Sequence, residues 1–397
     1  MYRSGMVTVA LYLVGLLHGG ATAAVAHLAP RNDRELEVLK LDEITGTDQI
    51  QAVIERLSRE RTRQQLKELV QAAVALAQQK DSPLGYNAAY IVLHLCDEIH
   101  DFQSAEVLYR FLMERARLIK STMREFELRE LMMSLAMRTR QFAQAERLGR
   151  EILEMEASTP EMESRKIFVT LQMIIVYAYL NRLDDANNIL AKFKAVRGLD
   201  EHPLILQREA WLLRFTGQYG KAADLYQKAL AQANNEKVAD FIRYQLGSLY
   251  AEMNDVDKAT EYLQVLLKKE PDNPTYNNDL GYIWVDHDRN LDQAEKMIRK
   301  ALEKEPENAA YLDSLAWVYY KKKQYAEAKK LLLQAVALPD GQHAELYDHL
   351  GDVHLALGER EQAVAAWKKA IELASPSHRD QQLKREAERK IRKVQAP

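Results

Sequence analysis

The stretch Asn278-Asp279-Leu280-Gly281-Tyr282-Ile283-Trp284 decides how this chain is read, because its central phrase returns at a nearly fixed interval. Leu246-Gly247-Ser248-Leu249-Tyr250 precedes it, and Leu315-Ala316-Trp317-Val318-Tyr319 and Leu350-Gly351-Asp352-Val353-His354 follow. The leading leucines stand at 246, 280, 315 and 350, so they are 34, 35 and 35 residues apart. Each phrase is followed by a small residue (Ala259, Ala294, Ala328, Ala363) and then a large apolar one (Leu263, Ile298, Leu332, Trp367). An alanine often comes next (Ala301, Ala335, Ala370), and Pro271 and Pro306 close two of the copies. Self-similarity at this period means stacked helix pairs, each unable to bury its apolar face alone.

The pattern resembles the tetratricopeptide repeat, a helix-turn-helix unit of about 34 residues with a small-large-small code. Leu280, Gly281, Trp284, Ala294, Ile298, Ala301 and Pro306 sit at that family's signature positions. Small residues such as Gly281 and Ala294 let the two helices of a unit approach, and large ones such as Trp284 and Ile298 interlock neighbouring units. The resemblance implies an all-α, right-handed superhelical solenoid whose units stack with a constant offset.

Working backwards in phase, weaker copies appear. Gly217-Gln218-Tyr219 with Ala222, Tyr226 and Ala229 marks one, and Asn181-Arg182-Leu183 with Ala186 and Leu190 marks another. Arg140-Gln141-Phe142 with Ala145, and Asp101-Phe102 with Ala105 and Tyr109, mark two more. About eight units are expected, near 86, 126, 167, 203, 240, 274, 309 and 344, and the first intervals of 40 and 41 predict longer early helices or loops. Apolar stripes at Ile50, Val53, Ile54, Leu57 and at Leu66, Leu69, Val70, Ala73 predict two amphipathic helices, an N-terminal cap over 47–85 or a degenerate further unit. The solenoid is expected over 86–378. A capping helix over 379–397 is expected to turn Leu383, Ala387, Ile391 and Val394 inward and Lys384, Arg385, Glu386, Arg389, Lys390, Arg392 and Lys393 outward.

Composition agrees. A hydrophobic content of 47% with 28% charged residues suits a soluble helical protein that needs no staples. Most of the 10 prolines fall between units, where an interrupted hydrogen-bond ladder does no harm. The formal charge of −3 offers no basic excess for nucleic acid. The lone Cys96 stands among Ile91, Val92, Leu93 and Leu95 and reads as a small core residue, since one cysteine makes neither an internal disulfide nor a zinc site.

The N-terminus has the parts of a secretory signal: Arg3, the apolar run Met6–Leu17, then Gly19-Gly20-Ala21-Thr22-Ala23-Ala24-Val25-Ala26. Residues 1–23, or 1–26, are therefore expected to be a cleaved signal peptide and 27–46 a flexible mature start, placing the protein in the periplasm or outside the cell. The run is too short to span a bilayer, which takes about 20 residues, so no stable membrane span is expected.

Motifs for chemistry are lacking: there is no GxxxxGK[ST], GxGxxG, GxSxG or HExxH. His349 and His354 are five apart and do not share a helical face. Asp286-His287-Asp288-Arg289-Asn290-Leu291-Asp292 alternates oxygen ligands as a calcium loop does. However, Leu291 stands where the loop needs glycine and Met297 where it needs a bidentate glutamate. No catalytic residue, cofactor or metal is expected.

Function is then expected on the concave surface lined by each first helix. Trp211, Phe241, Tyr244, Asn278, Tyr282, Asp313, Trp317, Tyr320, Asp348 and Asp352 form an aromatic middle and an acidic C-terminal end. Such a groove suits a protein or peptide segment with apolar and basic side chains. Some tetratricopeptide proteins clamp a partner's C-terminal carboxylate with lysine, asparagine and arginine. The positions here carry Asp and Asn with almost no Lys or Arg, which argues against that mode. The phrases beginning at Asn278, Tyr311 and Tyr347 resemble those of bacterial exported tetratricopeptide proteins of the cell envelope. The reading is a non-enzymatic interaction scaffold. Its alternative is an accessory or regulatory subunit of an envelope enzyme, a protease or glycosyltransferase complex.

Overall fold

The computed structural model describes residues 33–196 and 198–396, so the apolar N-terminal run and its cleavage positions lie outside the described residues. Three helices open them: α1 (Asp33–Lys40), α2 (Thr47–Glu60) and α3 (Arg63–Ala77). Consecutive pairs follow. They are α4 (Tyr86–Glu98) and α5 (Phe102–Leu118), α6 (Thr122–Arg138) and α7 (Phe142–Glu154), α8 (Pro160–Tyr179) and α9 (Leu183–Lys194), and α10 (Pro203–Phe215) and α11 (Tyr219–Ala231). Next come α12 (Glu236–Glu252) and α13 (Val256–Lys269), α14 (Pro274–Asp286) and α15 (Leu291–Lys304), α16 (Ala309–Lys321) and α17 (Tyr325–Ala337), and α18 (Ala344–Ala356) and α19 (Arg360–Leu373). A last helix, α20 (His378–Gln395), follows Ser377, whose hydroxyl accepts from the Asp380 N–H. No strand occurs among the described residues.

The turn inside each pair is built the same way. Besides Asn290 at 46° in the turn between α14 and α15, each has a left-handed residue, His100, Arg140, Asn181, Gly217, Asn254, Asp288, Lys323 or Gly358, with φ between 54° and 82°. The next N–H then reaches back five residues, as from Asp101 to the Cys96 carbonyl, Asp255 to Tyr250, Arg289 to Trp284 and Glu359 to His354. This is the Schellman closure, which satisfies carbonyls that a helix end leaves orphaned. Glycine supplies the left-handed residue at only two of these turns, so most of them carry a strain that the packed pair must outweigh.

The small-large code packs as the chemistry requires. Ala259, Ala294, Ala328 and Ala363 are fully buried, as are Leu263, Ile298, Leu332 and Trp367. A Cβ on Gly281 would come within 2.8 Å of Ile298 Cγ1 and 3.1 Å of the Ala294 carbonyl oxygen, so the helices could not approach this closely with any side chain there.

Between residues 176 and 177, inside α8, the chain divides into two compact units. The N-terminal one fills its core with many methionines, Met113, Met132, Met133, Met162 and Met173 all being buried. Two of its first helices are long, although α4 has 13 residues. Helix α6 has 17 residues and starts at Thr122 rather than 126, and α8 has 20 and starts at Pro160 rather than 167. In the C-terminal unit α12 has 17 and starts at Glu236 rather than 240, whereas α14, α16 and α18 have 13 each.

One expectation is corrected here. Residues 33–43 are not a flexible leader: α1 runs into a 3-10 turn at Leu41–Glu43, with Val38 and Leu41 buried. The reason is a cap in trans. Gly85 offers no side chain at the start of α4, and Asp42 Oδ1 accepts instead from the Asn87 N–H at 3.0 Å and the Ala88 N–H at 3.3 Å.

Candidate functional site

The stacking offset brings equivalent side chains of successive first helices into rows. One row in the C-terminal unit holds Gln207, Tyr244, Asn278, Asp313 and Asp348, and the row one turn on holds Trp211, Ser248, Tyr282, Trp317 and Asp352. Most members are buried, while Asp348 and Asp352 are half-buried, as are Phe241 and Tyr320 beside the rows.

The aromatic members pack on neighbouring helices. Trp211 lies against Tyr179 and Phe215 at ring separations of 6.2 and 5.2 Å. Tyr244 donates its hydroxyl to Asp279 Oδ2 at 2.7 Å, and Tyr282 reaches past α16 to donate to Glu345 Oε1 at 2.8 Å. Trp317 is sandwiched between His349 at 4.0 Å and Tyr320 at 4.5 Å, and its Nε1 donates to Asp286 Oδ1 at 3.2 Å.

The acidic members are answered within the chain. Asp313 Oδ1 lies 2.8 Å from His349 Nδ1. Both oxygens of Asp348 accept from Lys390 Nζ at 2.9 Å, and Asp352 accepts from Lys390 at 2.8 Å and from Trp367 Nε1 at 3.1 Å. Arg379 donates to Glu345 at 2.5 Å. The sequence reading placed Lys390 on the outward face of the last helix. It lies three residues from fully buried Ala387 and turns onto α18, because two carboxylates one helical turn apart there attract it. The acidic end is therefore a set of ion pairs.

Burial and these charges oppose each other in titration. Burial disfavours the Glu345 carboxylate, but the Arg379 guanidinium overrides it and holds the group down at about 2. Burial likewise disfavours the His349 imidazolium, yet the Asp313 charge and hydrogen bond raise it to about 9. His349 is thus a cation stacked on the Trp317 face at neutral pH. For Asp279, burial raises the carboxyl against the Tyr244 hydrogen bond.

Two row members each carry an atom without a partner. Asn278 is 1% exposed and its Nδ2 donates to Asp279 at 3.1 Å, but its Oδ1 accepts nothing. Gln207 is 9% exposed and its Nε2 donates to nothing. A buried group left unsatisfied costs about 1–3 kcal/mol. Asp279, His349, Arg379 and Lys390 escaped the sequence reading. Their only signal was spacing near the repeat length, as between Tyr244 and Asp279 or Glu345 and Arg379.

The acidic turn after α14 is engaged differently from a metal loop. Lys321 Nζ lies 3.1 Å from Asp288, and Lys322 lies 2.7 Å from Asp292. Among the described residues no three His, Cys, Asp or Glu side chains are placed to hold a metal ion, and no helix is long and apolar enough to cross a membrane.

Models of the tetratricopeptide repeat match residues 216–278, 288–343 and 344–376, covering the second helix of one pair through to α19. The chain is a tetratricopeptide repeat protein. Its repeats agree with the phase read from Leu246, Leu280, Leu315 and Leu350. No curated protein matches the chain in sequence. Among solved structures, a thermophilic tetratricopeptide repeat protein of Thermus thermophilus is 22% identical over 47% of this chain and 97% of its own, with a TM-score of 0.41. A tetratricopeptide repeat protein of Parabacteroides merdae is 17% identical over 66% of this chain and 98% of its own, at 0.47. The Cut9–Hcn1 hetero-tetramer of the APC/C is 16% identical over 89% of this chain and 62% of its own, also at 0.47. The assignment of this tetratricopeptide protein rests on the three sequence matches and not on these distant structures.

Proposed function

We propose that this protein is a non-enzymatic scaffold that takes a partner segment along the first-helix rows of its C-terminal unit. Tetratricopeptide repeats generally mediate protein–protein interaction, and the observation that localises it here is the pair of unsatisfied groups at Gln207 and Asn278. One lacks an acceptor and the other lacks a donor. Both atoms are buried, so the two side chains must turn outward to meet an extended peptide, which then supplies a carbonyl for Gln207 Nε2 and an N–H for Asn278 Oδ1. Half-buried Phe241 and Tyr320 offer apolar contact area beside them at low entropic cost, over a floor of buried Trp211, Tyr244 and Tyr282. Basic side chains on the segment match Asp279 and the carboxylates of α18.

Export to the periplasm or beyond is part of the proposal, from the composition of residues 1–26. N-terminal sequencing of the protein recovered from its native cell tests it, and an intact Met1 would refute export.

The binding reading is tested by placing a photo-crosslinking amino acid at Phe241 or Tyr320 and, as a control, at Lys268 on a second helix. A discrete adduct from the first two positions and none from the third supports it. Equal adducts from all three, or none from Phe241 and Tyr320, refutes it.

A further inference from the structure

Helix α20 is held unlike any other helix of its unit. Only Ala387 of its 18 residues is buried, against seven of the 13 residues of α18. Its apolar contact is modest, Ala387 with partly buried Ile391 and Val394 packing beside Trp367 of α19, and polar contacts add to it. Those contacts are specific. Lys390 holds Asp348 and Asp352, and Arg379 holds Glu345, which also accepts from Tyr282. The first turn reaches further. The His378 ring meets Tyr219 edge-on at 5.7 Å, and a Cβ on Gly217 would lie 2.5 Å from His378 Cγ. Helix α20 therefore ties the last carboxylates of the rows to the turn between α10 and α11, where the rows begin.

We propose that α20 is a displaceable strap, a built-in competitor whose Arg379 and Lys390 occupy the α18 carboxylates that a basic partner segment takes over. The proposal rests on the reading of the first-helix rows as the partner surface. Three features favour displacement. Both basic side chains stay partly exposed, at 36% and 21%, so water and salt weaken their pairs. An incoming cation needs no new acceptor, because Glu345 and Asp352 are preset by Tyr282 and Trp367. Release of α20 also frees the edge of the rows at Tyr219.

The test uses the full chain and, as probe, a fluorescein-labelled peptide with the sequence of residues 377–396. In the wild type the tethered helix competes at a high effective concentration, so the probe binds weakly. R379Q/K390Q weakens only the tether, and the probe should then bind about tenfold more tightly or better, with binding that falls as salt is raised. Equal binding by the two proteins, or no binding by either, overturns the strap. If the double variant does not melt cooperatively, hydrogen exchange on the wild type decides. Amides of residues 382–394 should exchange well ahead of those in α18 and α19, and equal protection overturns the proposal. The partner-surface reading fails separately, if Asn278 and Gln207 variants keep full partner binding.

Discussion

The two compact units reach the same helix-pair geometry with different side chains, and one glycine in each makes the contrast plain. A Cβ on Gly351 in the C-terminal unit would come within 2.5 Å of Trp367 Cδ1, part of a fully buried indole. A Cβ on Gly149 in the N-terminal unit would meet Met173 Sδ and, at 3.3 Å, Met133 Cε. A buried indole has nowhere to go, whereas thioether chains re-pack easily. Where the neighbour is rigid, only one residue type fits and the repeat code is strict. Where it is adaptable, the code drifts, and the repeat phrase in residues 86–176 is faint for that reason.

The largest expected effect breaks the comparison open. Gly351→Ala should destabilise by about 3 kcal/mol through overpacking. Gly149→Ala should fall within about 1 kcal/mol of wild type, because the gain in helix propensity offsets a small re-packing cost. Denaturant unfolding of the two variants measures both, and equal losses would erase the distinction.

Two histidines sharpen it next. His349 has a folded pKa of about 9, above an unfolded value of roughly 6.5. Its stabilisation is therefore complete below pH 6.5 and lost as pH rises through 9, amounting to about 3 kcal/mol. The groups facing it are Asp313, Glu345, Asp348, Trp317 and Tyr282. In the N-terminal unit, burial and then the Arg138 charge push His94 down to about 4. It contributes fully above pH 6.5 and loses its contribution as pH falls through 4. H349Q should flatten the alkaline limb of stability against pH, and H94Q the acid limb. If both variants altered the same limb, the assigned partners would be wrong.

The smallest effect concerns the cap on α4. Asp42→Ala removes the side chain that accepts from the Asn87 and Ala88 N–H groups there and should cost about 1 kcal/mol. Exchange at those two amides should rise with it.

The fold was largely legible from Leu246 onward, because a period of 34 to 35 residues and a small-large code leave little freedom. Residues 33–43 were not legible: one short, charged helix with Val38 and Leu41 as its apolar contacts looks like a linker, and Asp42 caps a helix more than forty residues away. The row positions at Trp211, Tyr244, Asn278, Tyr282, Asp313 and Trp317 followed from phase alone. Their partners did not. Tyr282 meets Glu345 two first helices further on, and no local pattern encodes that reach. Lys390 and Arg379 were invisible for the same reason, since a basic face on a terminal helix ordinarily points to water.

The central claim is that the unsatisfied groups at Gln207 and Asn278 are kept for a partner. Measuring stability and crosslinked adduct together in Q207A/N278A tests it directly. The account predicts a stability loss of no more than about 1–3 kcal/mol, from the Asn278 Nδ2 hydrogen bond to Asp279, with the adduct from Phe241 reduced about tenfold or more. A protein destabilised by several kcal/mol, or one that keeps its full adduct, would contradict it.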